Sequence, residues 1–443
     1  MKRSFQFLVL ISLTITVAAC TSTGPGGGLF QVASPHEQYE RSLTNANLNR
    51  TALGRDWVTA GQRALRDSLN ISVPYRESGY FAASRPFAIG YRVKAQRGDK
   101  LIIRVEVQSQ QNASVFIDVF ALNDRNQPDR AVSAKADTNV LTWEVRRTQT
   151  HLIRVQPELL RSGRYILTVT REPVLSFPVK GLDSRQISSY FGVPRDGGQR
   201  RHEGVDIFAP RGTPALAGAD GVISRVGVNE LGGNVVFLSD NARNQNLYYA
   251  HLDRWSVTDG QRVSVGDTIG FVGNTGNART TSPHLHFGIY TFGEGAVDPL
   301  PYIRRGLGPA RQNPLIPSRL GDSVRVSTTR AVVRLAPNGD ASIVQELPRS
   351  SALTLLGGTT EWFRVELPDG RTGYVGSSVV ESVGKPLRRV PLSRPTALLD
   401  AADLRAAIIR ELPGNTVVEI LALAGNFQLV RVAGGVTGWV VRI

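Results

Sequence analysis

With a single cysteine, Cys20, among 443 residues, the chain can form no internal disulfide. Stability must come from apolar cores and from any bound metal. Lysine is almost as scarce: it stands only at 2, 94, 100, 135, 180 and 385, so 46 of the 52 basic residues are arginine. A carrier domain acylated on lysine is therefore excluded between Lys180 and Lys385, although Gly266-Asp267-Thr268-Ile269-Gly270-Phe271-Val272 has the turn chemistry of biotinyl and lipoyl carriers. The N-terminal apolar stretch, Phe5 to Val17, falls short of the ~20 residues a membrane-spanning helix needs. What remains is ordinary folded material, 41% hydrophobic and 20% charged, in a chain long enough for three or four separate cores.

The N-terminus carries an address. Lys2 and Arg3 precede the apolar stretch, and Val17-Ala18-Ala19 supplies small residues before Cys20. This run resembles a bacterial lipobox, which implies a signal peptide over 1–19, cleavage before Cys20 and its diacylation. The mature protein would be anchored to a membrane through lipid rather than span it. Thr21 is not acidic, which by the same resemblance points to the periplasmic face of the outer membrane. Export removes nucleic acid from the partners. The net charge of +15 suits an anionic polymer such as wall material or lipid headgroups. Codon bias toward arginine accounts for it equally well.

A glycine-rich tether, 20–34, leads into a helix start at Ser34-Pro35-His36-Glu37, with Ser34 as cap and Glu37 reaching back. Tyr39, Leu43, Leu53, Trp57 and Leu65 recur at helical spacing, so 35–69 is read as one or two helices, with His36 an ordinary polar surface residue. From Ile71 to Glu172 the period is two, as in Leu101-Ile102-Ile103-Arg104-Val105 and Tyr165-Ile166-Leu167-Thr168-Val169. An antiparallel β-sandwich within 35–172 is expected, serving recognition or spacing, with His151 structural. Residues 306–320 form a proline-punctuated linker. Beyond it Glu346–Val375 aligns without gaps on Glu411–Val440 at an offset of 65, with nine of 30 positions identical. The Thr-Gly-aromatic-Val endings resemble bacterial SH3-like domains in tandem, over 321–384 and 385–443. Trp362, Tyr374, Phe427 and Trp439 are either binding aromatics or core residues.

The chemistry concentrates in 175–305. Four of the six histidines fall there: His202 in Arg-His-Glu-Gly-Val-Asp206, His251 after Tyr248-Tyr249-Ala250, and the pair His284-Leu285-His286. On extended chain, residues two or four apart share a face, so His284 with His286 and His202 with Asp206 can each reach a common point. Histidine and aspartate suit Zn²⁺, and a catalytic zinc keeps three protein ligands beside an open position. No His-Glu-x-x-His helix supplies a glutamate base, so an imidazole would have to act as one.

The whole pattern is similar to the peptidase family M23, of the LytM and lysostaphin type. The flanking text carries the resemblance as well: His-Glu-Gly-Val-Asp-Ile-Phe-Ala-Pro, Tyr-Ala-His-Leu, Gly-Asp-Thr-Ile-Gly-Phe-Val-Gly-Asn-Thr-Gly and Pro-His-Leu-His-Phe. It implies that His202, Asp206 and His286 hold one zinc ion, and that His251 and His284 are the catalytic pair. The expected fold is mainly β and multidomain: N-terminal helix and β-sandwich, a central M23-type β fold, and two small SH3-like barrels. The expected function is a lipid-anchored zinc metalloendopeptidase hydrolysing peptide cross-links of peptidoglycan in wall remodelling or division. The alternative is a non-catalytic LytM-type activator or wall-binding protein that regulates another wall hydrolase.

Overall fold

The computed structural model describes residues 32–442 except 84, 110, 111, 307, 309 and 311–319. The signal peptide, Cys20, nearly all of the tether and most of the 306–320 linker therefore lie outside the described residues.

Two helices open the fold, Pro35–Asn45 and Ala52–Arg66, joined by a short 3-10 turn at Leu48–Arg50. Ser34 accepts from the Glu37 amide while the Glu37 carboxylate accepts from the Ser34 amide, so two otherwise orphaned donors are satisfied at the start. His36 departs from expectation: it is buried, not on the surface. As the second residue of the helix it points inward, stacks on Trp57 at 4.7 Å, and donates through Nε2 to Gln156 Oε1 at 2.7 Å. Gln156 in turn donates to the Trp57 carbonyl at 2.8 Å, which fixes its amide orientation. Burial pushes the His36 imidazole down to about 4.

The β-sandwich follows. One sheet orders Leu69–Ile71, Ile89–Ala95, Gln149–Pro157, Val115–Leu122 and Pro128–Ser133. The other runs Tyr75–Phe81, Gly163–Pro173, Asp99–Gln108 and Val140–Glu144. Alternate residues such as Leu101, Ile103 and Val105 are fully buried between the sheets. His151 is buried as well, in keeping with a structural role.

The second sheet does not stop at its edge. Strand Tyr75–Phe81 pairs antiparallel with Ala352–Gly358 of the first C-terminal module, Ser78 opposite Gly358 and Gly79 opposite Gly357. Glycine is required there, because a Cβ on Gly357 would lie 2.6 Å from the Ser78 carbonyl oxygen. Behind this seam Arg364 and Glu77, both buried, meet at 2.6 Å. Tyr165 accepts from Arg364 at 2.6 Å, and the Tyr75 and Tyr374 hydroxyls donate to the Glu77 carboxylate. Tyr374 is thus a buried interdomain anchor rather than a binding aromatic, and half-buried Trp362 packs against the sandwich core.

Both C-terminal modules share one strand order: Ile343–Pro348, Arg330–Arg334, Thr372–Gly376, Trp362–Glu366, Ala352–Gly358 in the first, and Ile408–Leu412, Thr396–Leu399, Thr437–Val441, Phe427–Arg431, Val417–Ala424 in the second. Arg334 faces Tyr374 in one and Leu399 faces Trp439 in the other, so the offset of 65 persists in the hydrogen-bond register. The second module leans on the first through Leu421, Ala422 and Leu429 against Ala352, with Trp439 half-buried beside them. Arg325 donates to the Leu421 carbonyl at 2.8 Å.

The central domain is built on a sheet ordered Ile187–Ser189, Val205–Phe208, His284–Thr291, Gln245–Trp255, Gly233–Asp240, Gly221–Asn229 and Arg262–Val263, with Pro214–Leu216 and Thr268–Val272 closing it. Arginines clamp it to the sandwich: Arg304 on Asp99 at 2.6 Å, Arg243 on Glu144 at 2.6 Å, and Arg97 on Glu294.

Candidate active site

Strand alternation makes the site. Val205, Ile207, Leu285, Phe287, Leu247 and Tyr249 are fully buried on the core side of three neighbouring strands. Asp206, Phe208, His284, His286, Tyr248 and Ala250 consequently project from the opposite face. Register then sets the pairs: Asp206 lies opposite His286, and Phe208 opposite His284. The face floors a cleft of about 810 Å³ rimmed by Arg195, Arg200, Glu203, Asn229, Glu230 and Tyr290.

All five residues singled out in the sequence line this cleft. His202 sits just ahead of strand Val205–Phe208, its Nε2 3.0 Å from Asp206 Oδ1 and 2.9 Å from His286 Nδ1. His286 Nδ1 is 3.0 Å from the same Asp206 oxygen. These three atoms form a nearly equilateral triangle. Ligands at tetrahedral zinc, ~2.0–2.1 Å from the ion, stand roughly 3.3 Å apart. The His202 tautomer supports the same reading, because Nδ1–H donates to the Tyr190 carbonyl at 2.9 Å and leaves the Nε2 lone pair facing the triangle. Lone pairs converging beside a carboxylate are what a cation satisfies, so the donor set fits zinc. Burial alone would raise the Asp206 carboxyl, but its close contacts with His202 and His286 outweigh it and hold the group far below the usual carboxylate range.

His251 and His284 stand beside the triangle with ring centroids 5.0 Å apart. Each is fixed by a backbone acceptor: His251 Nδ1 donates to the Thr275 carbonyl and His284 Nδ1 to the Ser282 carbonyl, both at 2.9 Å. Each Nε2 therefore carries the free lone pair. His284 also stacks on Phe208 at 5.0 Å, and its Nε2 lies 4.0 Å from Asp206 Oδ1. Burial, reinforced by His286 and His284, pushes His251 down to about 4, so it is neutral at neutral pH and able to accept a proton. Its strand runs on past it to Trp255 through a bulge, with His251 itself at φ 60°. A left-handed non-glycine residue costs on the order of 1–3 kcal/mol and is typical of functional sites.

Sequence reasoning missed the groups that orient the five. The carbonyls of Tyr190, Ser282 and Thr275 leave no residue-type signal. Arg195 does have a side chain, but it lies outside the histidine motifs. It donates to Asp206 Oδ2 at 2.7 Å and to Ser189 Oγ at 2.6 Å.

Residues 200–299 match the family model described as Peptidase family M23, and residues 329–381 match Bacterial SH3 domain. The chain carries a peptidase M23 domain and a bacterial SH3 domain. It is 42% identical over 133 residues to peptidoglycan DD-endopeptidase ShyC of Vibrio cholerae, covering 28% of this chain and 29% of that one. It is 43% identical over 114 residues to DD-carboxypeptidase/endopeptidase Mpg of Neisseria meningitidis, covering 25% and 26%. To an L-Ala--D-Glu endopeptidase of Bacillus subtilis it is 38% identical over 140 residues, covering 29% and 43%. In each case the chain spans less than half the length of the relative it matches.

Proposed function

We propose that this protein is a zinc metalloendopeptidase that hydrolyses peptide cross-links of peptidoglycan, held at the periplasmic face of the outer membrane by lipid on Cys20. One observation carries the reading. Three ligand atoms converge within 3.0 Å of one another, and two further imidazoles beside them present Nε2 lone pairs into the same cleft. A structural metal has no use for the extra pair. His202, Asp206 and His286 would hold zinc. When bound, zinc supplies Lewis acidity toward a scissile carbonyl and acidifies water to a pKa of ~7.

The rest is side-chain chemistry. His251 and His284 are held in one tautomer by backbone carbonyls, so each can take a proton only at Nε2. One accepts the proton of the attacking water; the other, once protonated, hydrogen-bonds the developing oxyanion or donates to the leaving amine. The open cleft admits an extended peptide, and the names of the Vibrio and Neisseria relatives favour D-amino-acid cross-links as the bond cut. Purified wall sacculi incubated with zinc-loaded protein should lose cross-linked dimers and gain new peptide termini by mass spectrometry, and a chelator should block both. Shortened glycan strands would refute the peptidase reading, and wall binding without peptide release would favour a regulator of another hydrolase.

A further inference from the structure

We propose that Arg195 is a positioning residue that decides which oxygen of Asp206 is offered to the metal; this rests on the metal reading above. The Asp206 carboxylate has two oxygens with different surroundings. Oδ1 faces the two imidazoles, 3.0 Å from His202 Nε2 and 3.0 Å from His286 Nδ1. Oδ2 faces away and receives Arg195 Nη2 at 2.7 Å. A charge-assisted hydrogen bond of that length engages the second oxygen and blocks rotation of the carboxylate. Oδ1 alone is left to serve as a ligand, which keeps a further position free for water or substrate.

The arginine is itself held in place. It sits in a small hairpin, Pro194–Arg195 against Arg200–Arg201, tied down by backbone bonds between Gly192 and His202 and between His202 and Val193. The same Nη2 reaches Ser189 Oγ at 2.6 Å, and Ser189 is the strand partner of Asp206. Ser189 Oγ also lies 3.4 Å from His202 Nδ1, so a single guanidinium braces the surroundings of two ligands. The neighbouring acid, Asp196, is engaged by Arg200 and does not compete for it. The Arg195 side chain is 32% exposed on the cleft rim, so replacing it opens no core cavity.

The test reads the metal rather than turnover. Full-length protein would be stripped, reloaded with Co²⁺ for its visible spectrum, and titrated with Zn²⁺ against a competing chelator. Arg195→Met should weaken zinc binding ~10–100-fold, the usual cost of losing a partner that orients a ligand. Its Co²⁺ spectrum should shift to the weaker absorption of a higher coordination number as Asp206 engages through both oxygens. Arg195→Lys, which keeps the charge, should recover part of the affinity and most of the wild-type spectrum. A folded Arg195→Met protein with wild-type affinity and spectrum would overturn the role of Arg195. Failure of the wild type to bind either ion would overturn this inference and the metal reading together.

Discussion

Replacing Arg364 by methionine removes the positive half of an ion pair sealed between the β-sandwich and the first SH3-like module. Both charges are out of water, Glu77 at 0% and Arg364 at 2% side-chain exposure. Burial works against the Arg364 charge, yet Glu77 and the surrounding tyrosines outweigh it and hold the guanidinium well above its usual range. After the substitution Glu77 would keep only the hydroxyls of Tyr75, Tyr374 and, at 3.4 Å, Tyr165. Breaking one side of a buried pair costs about 3–5 kcal/mol; the surviving phenol donors place the expected cost near the lower end. An opening free energy smaller by ~3 kcal/mol speeds exchange of the protected amides roughly 100-fold. Hydrogen exchange read by mass spectrometry on the strands Tyr75–Phe81 and Ala352–Gly358 isolates this seam from the rest of a multidomain chain, for which one global unfolding free energy is not defined. The double variant Glu77→Leu with Arg364→Met should recover most of the loss, since an apolar pair of similar volume is often neutral. An increase below fivefold in the single variant would refute the reasoning, as would a double variant less protected than the single.

Alanine at His202, Asp206 or His286 should abolish zinc retention after dialysis together with activity, measured as bound metal per chain and peptide release. Alanine at His251 or His284 should keep the metal and lower turnover by ~10²–10⁴; undiminished activity in either would remove it from the mechanism. Burial of His36 gives the sandwich a pH dependence of known sign. The unfolded chain takes up a proton near 6.5 and the folded one only near 4, so stability is complete above 6.5 and falls as pH drops toward 4, by roughly 3 kcal/mol. Urea midpoints of the sandwich, read by peptide-resolved labelling over Pro35–Asn45, should differ less between pH 7 and 4.5 in His36→Gln than in the wild type, and an equal difference would refute the assignment. Cys20→Ala should move the protein from the membrane to the soluble periplasmic fraction and abolish metabolic labelling with fatty acid. An unchanged distribution would exclude the anchor.

The site was legible in the sequence because its chemistry lies in side chains and its geometry in a period of two. His284 and His286 had to share a face once Leu285 and Phe287 took the core. The register setting Asp206 opposite His286 was not legible, because it depends on pairing between strands some 80 residues apart. The orienting carbonyls of Tyr190, Thr275 and Ser282 were invisible for a different reason: every residue type carries one. His36 misled because a polar residue in a helix cap is usually solvated, and nothing local foretells Trp57 and Gln156 closing over it. The repeat at 65 was read from identical residues, and the same offset then reappeared in the backbone ladder.

That repeat kept its fold while exchanging the chemistry of one face. Position 364 is arginine in the first module and position 429 is leucine in the second; Tyr374 likewise becomes Trp439 and Gly357 becomes Ala422. In both copies this face docks on a domain earlier in the chain, against Glu77 and the sandwich in one case and against apolar Ala352 in the other. The two modules are therefore not interchangeable. Leu429 placed opposite Glu77 would leave a carboxylate buried without its cation, and Arg364 placed opposite Ala352 would bury a guanidinium without its anion. Each mismatch costs several kcal/mol, whereas the matched order costs neither. A face committed to docking is closed to a wall ligand, so any peptidoglycan contact made by these modules has to use the strands on their outer sides.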